Sequence, residues 1–215
     1  MLTYFPLPYP GEWWYSVLCQ YHVCSGNSKH QSTIKELIPG RITAAIGSVY
    51  PNSTIRQILS GLPAGLLSVK DVIIKNTLFP YYSRFSSFEK KTAMLEQLCR
   101  GETIVITSIR KFTAKSVPKY CPQCVVEDRS AYGEAYWHID HQIPLMAICP
   151  EHGCSLQSAD DIIPTHIDYT FYPLESAYSE RSPPVSPSDI FPWQITFSRI
   201  LADYQRLPLT ASASP

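Results

Sequence analysis

Two short ligand pairs constrain the fold of this chain more than any other feature of its sequence. They read C-P-Q-C at 121–124 and C-P-E-H at 149–152, with 24 residues between them. Each pair can form a tight turn whose two side chains converge on one cation, and three thiolates with one imidazole complete the tetrahedron that Zn²⁺ prefers. The sequence therefore predicts one structural zinc ion, held by Cys121, Cys124, Cys149 and His152 at the base of a zinc ribbon.

Other cysteines and histidines leave alternatives at this site. Cys154 could replace His152 as the fourth ligand, because it follows Cys149 by only five positions. His138 and His141 lie between the two pairs and are interpreted as hydrogen-bonding residues around the ribbon. The remaining three cysteines fall on apolar helical faces and are predicted to be small core residues: Cys19, Cys24 and Cys99.

A closed site of this kind argues against catalysis. A catalytic zinc keeps one position for water, whereas three thiolates and one imidazole fill all four. The sequence also lacks the glycine-rich phosphate loops and the nucleophile motifs of common enzyme classes. A metal-dependent nuclease or hydrolase is thus the weakest hypothesis, and a binding or adaptor protein with no small-molecule substrate is favoured.

The charge of the chain is zero only in sum, with 18 basic and 18 acidic residues. Residues 29–120 hold 14 basic and 5 acidic residues, whereas 121–215 hold 4 basic and 12 acidic ones. This polarity suggests that the basic part contacts the phosphates of double-stranded DNA and that the acidic part contacts a protein or the basic part itself. The candidate phosphate contacts are Arg41, Arg56, Lys70, Lys75, Arg84, Lys90, Lys91, Arg110 and Lys111.

Hydrophobic spacing and capping residues predict an α+β protein that is mainly α. Residues 1–115 should form a small helical, helix-turn-helix-like domain, 116–158 the zinc ribbon, and 159–215 a proline-rich linker with one helix at 193–207. A β-branched run at 103–109 predicts a strand. The aromatic arm at the start has two interpretations, core packing or a partner surface formed by Tyr9, Trp13 and Trp14. With no membrane-spanning or secretory segment predicted, the expected location is the cytoplasm.

Three separated stretches resemble the TniQ family, and more closely its TnsD-like branch. They read FPLPYPGEWWYSVLCQYHVCSGN, NTLFPYYSRF and YCPQCVVEDRSAYGEAYWHIDHQIPLMAICPEHGCSL, in that order from Phe5 to Leu156. The likeness implies a bacterial, nucleoid-associated protein that selects the target site of a transposon. Cys121, Cys124, Cys149 and His152 match the zinc knuckles of the family, and its N-terminal region is similar to a helix-turn-helix domain.

The resemblance also implies partners. Family members bind a chosen DNA site and recruit an AAA+ ATPase regulator, which brings the transposase, while shorter members join a CRISPR effector complex. The expected function is therefore that of a target-site selection adaptor. The alternative is a stand-alone zinc-containing regulator that binds a specific DNA sequence without an ATPase.

Overall fold

The computed structural model describes residues 2, 4–41, 44–102, 104, 117–159, 163, 169–178 and 190–210. Within these ranges helices predominate and one pair of short strands is present, which confirms the α+β, mainly α class. Most of the strand predicted at 103–109, the phosphate candidates Arg110 and Lys111, and the proline-rich stretch at 181–188 lie outside the described residues.

The elements follow one another with short connections. Their bounds are α1 Trp14–Ser25, α2 His30–Leu37, α3 Ser53–Ser60, α4 Val69–Lys75, α5 Phe79–Ser83, α6 Phe88–Cys99, α7 Pro122–Tyr132, α8 Leu174–Ala177 and α9 Pro192–Arg206. Strand β1 (Lys119–Tyr120) pairs antiparallel with β2 (Gln157–Ser158), and a single 3₁₀ turn spans Asp140–Gln142.

Side-chain caps explain where several helices begin. The side chain of Asn52 accepts a hydrogen bond from the Thr54 amide, and that of Ser68 accepts one from the Asp71 amide, as the sequence predicts. The cap of α6 is Ser87, whose side chain accepts from the Lys90 amide. Pro80 lies in the first turn of α5, where its missing amide proton costs no hydrogen bond.

Helices α3 and α4 pack against each other, and α4 also contacts α6. Eight residues, 61–68, connect α3 to α4. A helix-turn-helix joins its two helices by only ~3–4 residues. The helix-turn-helix character of this region therefore stays a prediction.

The aromatic arm and the segment between the ligand pairs share one core. The Trp13 amide donates to the Trp137 carbonyl at 2.8 Å, and the Ile139 amide donates to the Gly11 carbonyl at 2.9 Å. The buried hydrophobic cluster runs without interruption from Phe5 to Ala202. The core thus crosses both of the domain boundaries expected from the sequence.

Helix α9 closes this core from the C-terminal side, against α5. Its Gln205 side chain donates to the Thr77 carbonyl and accepts from the Tyr81 amide. The helix predicted at 193–207 is present as α9, Pro192–Arg206. None of the described helices has the length and apolar character needed to cross a bilayer.

Candidate metal centre and candidate nucleic-acid surface

The two ligand pairs lie on different local structures. Cys121 is the N-cap of α7, so Cys124 follows on the first turn of that helix. Cys149 and His152 lie on a hairpin turn closed by the Cys149 amide donating to the Cys154 carbonyl at 2.8 Å. The sequence predicted two knuckles at the base of a hairpin. Only the second pair fits that description, because the first pair begins a helix.

The four predicted ligands converge as a tetrahedral zinc site requires. Their ligand atoms all lie within 4.8 Å of one another. His152 Nδ1 is 3.5, 3.3 and 3.6 Å from the sulfurs of Cys121, Cys124 and Cys149, and the sulfurs of Cys124 and Cys149 are 3.8 Å apart. Zinc bonds of ~2.3 Å to sulfur and ~2.0–2.1 Å to nitrogen give tetrahedral edges of about 3.6 Å between sulfur and nitrogen and about 3.8 Å between sulfurs.

The chemistry of the donor set agrees with these distances. The amides of Cys124 and His152 each point at the sulfur three residues earlier, at 3.5 Å. Such contacts favour the thiolate form that binds zinc. All three cysteines are buried, so a bound ion would be shielded from water. The residues present therefore fit a structural zinc ion.

Two acidic residues on α7 hold the histidines around this centre. Glu127 Oε1 lies 2.9 Å from His152 Nε2, and Asp128 Oδ2 lies 2.8 Å from His138 Nε2. A carboxylate on the second ring nitrogen fixes the tautomer and orientation of a ligating histidine. Neither Glu127 nor Asp128 was predicted from the sequence as a residue of this site. Their positions three and four residues after Cys124 place them one helical turn along, which is the signal that could have identified them.

Cys154 and His141 border the site as well. Cys154 Sγ is 3.2 Å from the Cys121 sulfur, and His141 Nε2 is 3.7 and 3.9 Å from the sulfurs of Cys149 and Cys124. Burial lowers the pKa of His141, which keeps the ring neutral. Both residues therefore surround the four ligands, and Cys154 as the fourth ligand stays an alternative hypothesis.

Helix α9 braces the second ligand pair. The Arg206 guanidinium contacts Asp140 Oδ2 and Glu151 Oε1, each at 2.7 Å, and Arg199 donates to the Pro150 carbonyl at 3.2 Å. The side chain of Ile195 lies so close to Gly153 that an added Cβ would approach it to 3.3 Å. This contact and the positive φ of 66° explain why a glycine stands in the turn.

A buried carboxyl group lies where the aromatic arm meets the metal-centre region. Glu12 is fully buried and forms an isolated β-bridge with His138. One carboxyl oxygen accepts from the Tyr9 amide at 2.8 Å, whereas the other, Oε1, has no hydrogen-bond partner among the described residues. Burial raises the pKa of Glu12 to about 8, although hydrogen bonds to Ser16 and Tyr9 oppose the shift.

The structure divides the predicted phosphate contacts. Five of them are exposed along the helical region: Arg41, Arg56, Lys70, Lys75 and Lys90. Arg56 also donates to the Cys99 carbonyl at 2.7 Å, and Lys75 lies 3.4 Å from Asp71. These five are free to face a ligand on the surface of the molecule.

Two other candidates are not surface charges. Arg84 is only 2% exposed, and its guanidinium donates to the carbonyls of Tyr204, Leu207 and Pro208 at the end of α9. Arg84 therefore acts as a cap for α9, and its assignment as a DNA contact is corrected. Lys91 is 4% exposed, so most of its side chain is covered by neighbouring residues, and its contact with DNA stays a prediction.

The proposed partner residues divide in the same way. Trp13 and Trp14 are 1% and 3% exposed, so in this structure they belong to the core. Their assignment as partner contacts is corrected. Tyr9 is half-buried against the rings of Tyr132 and Tyr136. It lines a cleft of about 1010 Å³ between the aromatic arm, α4 and the end of α9.

The three remaining cysteines also differ from one another. Cys19 is buried in the core, as predicted, and Cys99 is half-buried. Cys24 is exposed, which contradicts the core assignment. It lies in the last turn of α1, where the helix passes beyond the residues that cover its first two turns.

Comparison with known proteins identifies two matches. A family model described as TniQ matches residues 3–156. The transposon Tn7 transposition protein TnsD of Escherichia coli is 29% identical over 155 residues, which cover 69% of this chain and 30% of that protein. The match to TnsD spans less than a third of that protein's length. The TniQ family model covers all four predicted zinc ligands and ends before α9.

Proposed function

The chain belongs to the TniQ family, and from that premise we propose that it is a target-site selection adaptor in transposition. In this role it binds duplex DNA and recruits an AAA+ ATPase regulator, through which the transposase reaches the insertion site. The observation that supports the proposal is the family match across residues 3–156, together with the similarity to a transposition protein. The activities that the full-length relative performs are proposed here for the shared region alone.

The proposed DNA surface lies on the helical region. Arg56 and Lys70 are both exposed. Burial raises the pKa of the Cys99 thiol, and the positive charges of Lys70 and Arg56 partly oppose this rise. Arg56 on α3 and Lys70 on α4 are therefore close to the same end of α6. Two cations presented from neighbouring helices can contact successive phosphates, and backbone contacts of this kind position a protein on DNA.

The proposed ATPase surface is the cleft that Tyr9 lines. Its apolar side chains include Leu7, which is 58% exposed, and Leu66, which is 40% exposed. Single exposed apolar side chains are common, but apolar side chains that line one open cleft together are typical of a partner site. The cleft lies beside the metal-centre region, since His138 and Asp140 also line it. The zinc ion then has a structural role, because it holds the segment that forms one wall.

Co-purification tests the proposal most directly. The purified chain is immobilised, and retention of an AAA+ transposition ATPase is measured with and without ATP, target DNA and a CRISPR effector complex. Retention that depends on nucleotide or DNA supports the adaptor. Tight sequence-specific binding to DNA with no retention of the ATPase favours the stand-alone regulator instead.

Matched variants locate the two surfaces. Leu7→Asp should reduce ATPase retention at least tenfold, whereas Val23→Asp, at an equally exposed position of α1, should not. For DNA, the double variant Arg56→Met/Lys70→Met should reduce the slope of log K against log salt by about 1.8, at ~0.9 per lost phosphate contact. Lys35→Met on α2 is the exposed control. An unchanged slope in the double variant contradicts this DNA surface.

A further inference from the structure

Helix α9 carries apolar side chains on three of its sides. One side packs against α5 and is buried. A second side faces the turn of the second ligand pair, where Ile195 lies against Gly153. The third side faces solvent, yet Trp193, Phe197 and Ile200 on it are large, apolar and 65%, 41% and 45% exposed. Packing within the described part of the chain does not account for this outer side.

The residues of this outer side have the spacing of a contact between two helices. Trp193, Phe197, Ile200 and the half-buried Tyr204 form one stripe and are separated by four, three and four positions. Apolar residues at alternating intervals of four and three form the seam along which two helices pack side by side. The outer side of a surface helix is normally polar instead. The α9 stripe therefore has the pattern of an interface with another helix.

Two phenylalanines of the helical region extend the α9 stripe. Phe85 is 79% exposed and packs against the ring of Tyr204, with the ring centroids 5.7 Å apart. Phe88 is 55% exposed and borders the same small pocket as Phe85. At ~150–250 Å² for a complete aromatic side chain, Trp193, Phe197 and these two phenylalanines expose on the order of 500 Å². With the flanking residues, this face approaches the ~800 Å² that each member of a stable pair of proteins buries.

The order of the residues along the stripe favours a second copy of this chain as the partner. Trp193 and Tyr204 lie equally far from the midpoint between Phe197 and Ile200. When two α9 helices lie antiparallel about that midpoint, Trp193 of each copy meets Tyr204 of the other, and Phe197 meets Ile200. A twofold interface requires this kind of self-matching surface. The aromatic residues at both ends of the stripe would then gain ring contacts in addition to the buried area.

We propose that the outer side of α9 is an interface through which two copies of this chain pair, with their α9 helices antiparallel. Phe85 lies beside Tyr204, so it borders Trp193 of the second copy in the pair. Asp203, which flanks the stripe, comes level with the uncharged Gln194 of the second copy, so no like charges oppose the contact. The inference goes beyond the proposed function, because the pairing needs neither DNA nor an ATPase.

The molar mass of the full chain in solution tests the pairing. It is measured by light scattering at concentrations up to about 100 μM, because interfaces of this size bind with dissociation constants in the micromolar range or below. We expect twice the mass of a single chain for the wild type.

Two variants place the interface on α9. Ile200→Asp should raise the dissociation constant at least about a hundredfold, because each pair would bury two carboxylates without partners. Val23→Asp, at a 60% exposed position of α1, should keep the mass of the wild type. Circular dichroism shows whether both variants fold. A wild type that remains a single chain at the highest concentration overturns the proposal, and so does an Ile200→Asp protein that pairs as the wild type does.

Disulfide cross-linking tests the antiparallel arrangement, in chains that also carry Cys24→Ser to remove the exposed thiol. Trp193→Cys chains mixed with Tyr204→Cys chains should cross-link under mild oxidation, because the two positions come level in the pair. Trp193→Cys chains alone should not, because eleven helical positions place the two thiols about 16 Å apart along the axis, beyond the reach of a disulfide. The opposite result would show that the arrangement is wrong. Neither result bears on the proposed function, which ATPase retention and the salt dependence of DNA binding test separately.

Discussion

The metal centre and the basic helical region were both predicted from residue types. In the structure the predicted ligands come together at one point, whereas the predicted basic residues have different surroundings and roles. The four zinc ligands converge within 4.8 Å, as their spacing predicts. Among the basic residues five are exposed, whereas Arg84 caps a helix and the side chain of Lys91 is largely covered. A metal needs several ligands at one point, so a pair of matched motifs is specific. A single lysine or arginine has many uses, and composition does not distinguish them.

The largest expected effect follows from breaking the metal centre. Cys121→Ser removes one thiolate and leaves the ion without a complete tetrahedron, while the serine hydroxyl can still cap α7. A structural zinc contributes on the order of 10 kcal/mol to the stability of such a region. We expect loss of bound zinc, measured by elemental analysis, together with loss of helical circular dichroism and of cooperative unfolding.

Cys24→Ser is the matched control for this experiment. Cys24 is exposed, and it lies outside the cluster of sulfurs around the ion. This variant should bind one zinc ion per chain and unfold as the wild type does. A Cys121→Ser protein that remains folded with a full equivalent of zinc would show that the ligand set is wrong, and Cys154→Ser would then be the next variant to examine.

The second largest expected effect is the loss of stability on replacing Arg84 in the basic region. Arg84→Met should lower the free energy of unfolding by about 3 kcal/mol, because the carbonyls of Tyr204, Leu207 and Pro208 lose a charged donor in a buried place. Urea unfolding measures the change. Lys90→Met, at an exposed position of α6, should change stability by less than ~0.5 kcal/mol. Equal stability of the two variants would contradict the capping role of Arg84.

Local signals were sufficient for much of the fold. Helix α9 lies within one residue of the predicted 193–207 because the apolar spacing that predicts a helix acts within a few residues. Caps such as Asn52 on α3 are local in the same way. The zinc ligands were predictable for a similar reason, since each pair is local and the two pairs share one pattern. The helical start at Cys121 was missed because a proline after a cysteine suits a turn and a first helical turn equally well.

Long-range partners were beyond the reach of local patterns. The capping of α9 by Arg84 joins residues 120 to 124 positions apart, and the bond between Tyr9 and Glu134 spans 125. The burial of Trp13 depends on the metal-centre segment folding over it, which no feature of the arm alone determines. Glu127 and Asp128 read as solvated charges until α7 places them beside two histidines.

Glu12 gives a third prediction, where the two regions meet. Its pKa rises from 4.5 in the unfolded chain to about 8 in the fold, so the folded state holds the proton more tightly. Stability must then fall as pH rises through this window. Relative to Glu12→Gln, which mimics the protonated carboxyl, the wild type should lose about 2 kcal/mol between pH 6 and pH 8.

The measurement is urea unfolding at several pH values with zinc held at saturation. Glu96→Gln on α6 serves as the control, because Glu96 is exposed and the neighbouring charges that raise the pKa of Glu12 are those of Glu134 and Asp128. That variant should keep the pH dependence of the wild type. Parallel pH profiles for the wild type and Glu12→Gln would mean that the Glu12 carboxyl is ionised in the folded protein at pH 6.

The smallest expected effect is the difference in coupling free energy between two ion pairs, one from each region. Arg129 on α7 holds Glu175 on α8 through two bonds of 2.9 and 2.6 Å, and the Ala135 amide donates to the same carboxylate. Asp71 and Lys75 form a single exposed contact of 3.4 Å within α4. Double-mutant cycles should give a coupling of about 1 kcal/mol for the first pair and about 0.3 kcal/mol for the second.

The first pair should also depend on pH. Hydrogen bonds from Arg129 lower the pKa of Glu175, so the stabilisation that this pair gives is present at neutral pH and is lost as acid protonates the carboxylate. Equal couplings for the two pairs would mean that the metal-centre region is no more tightly organised than the basic helices, and the contrast between the two regions would then rest on the zinc ion alone.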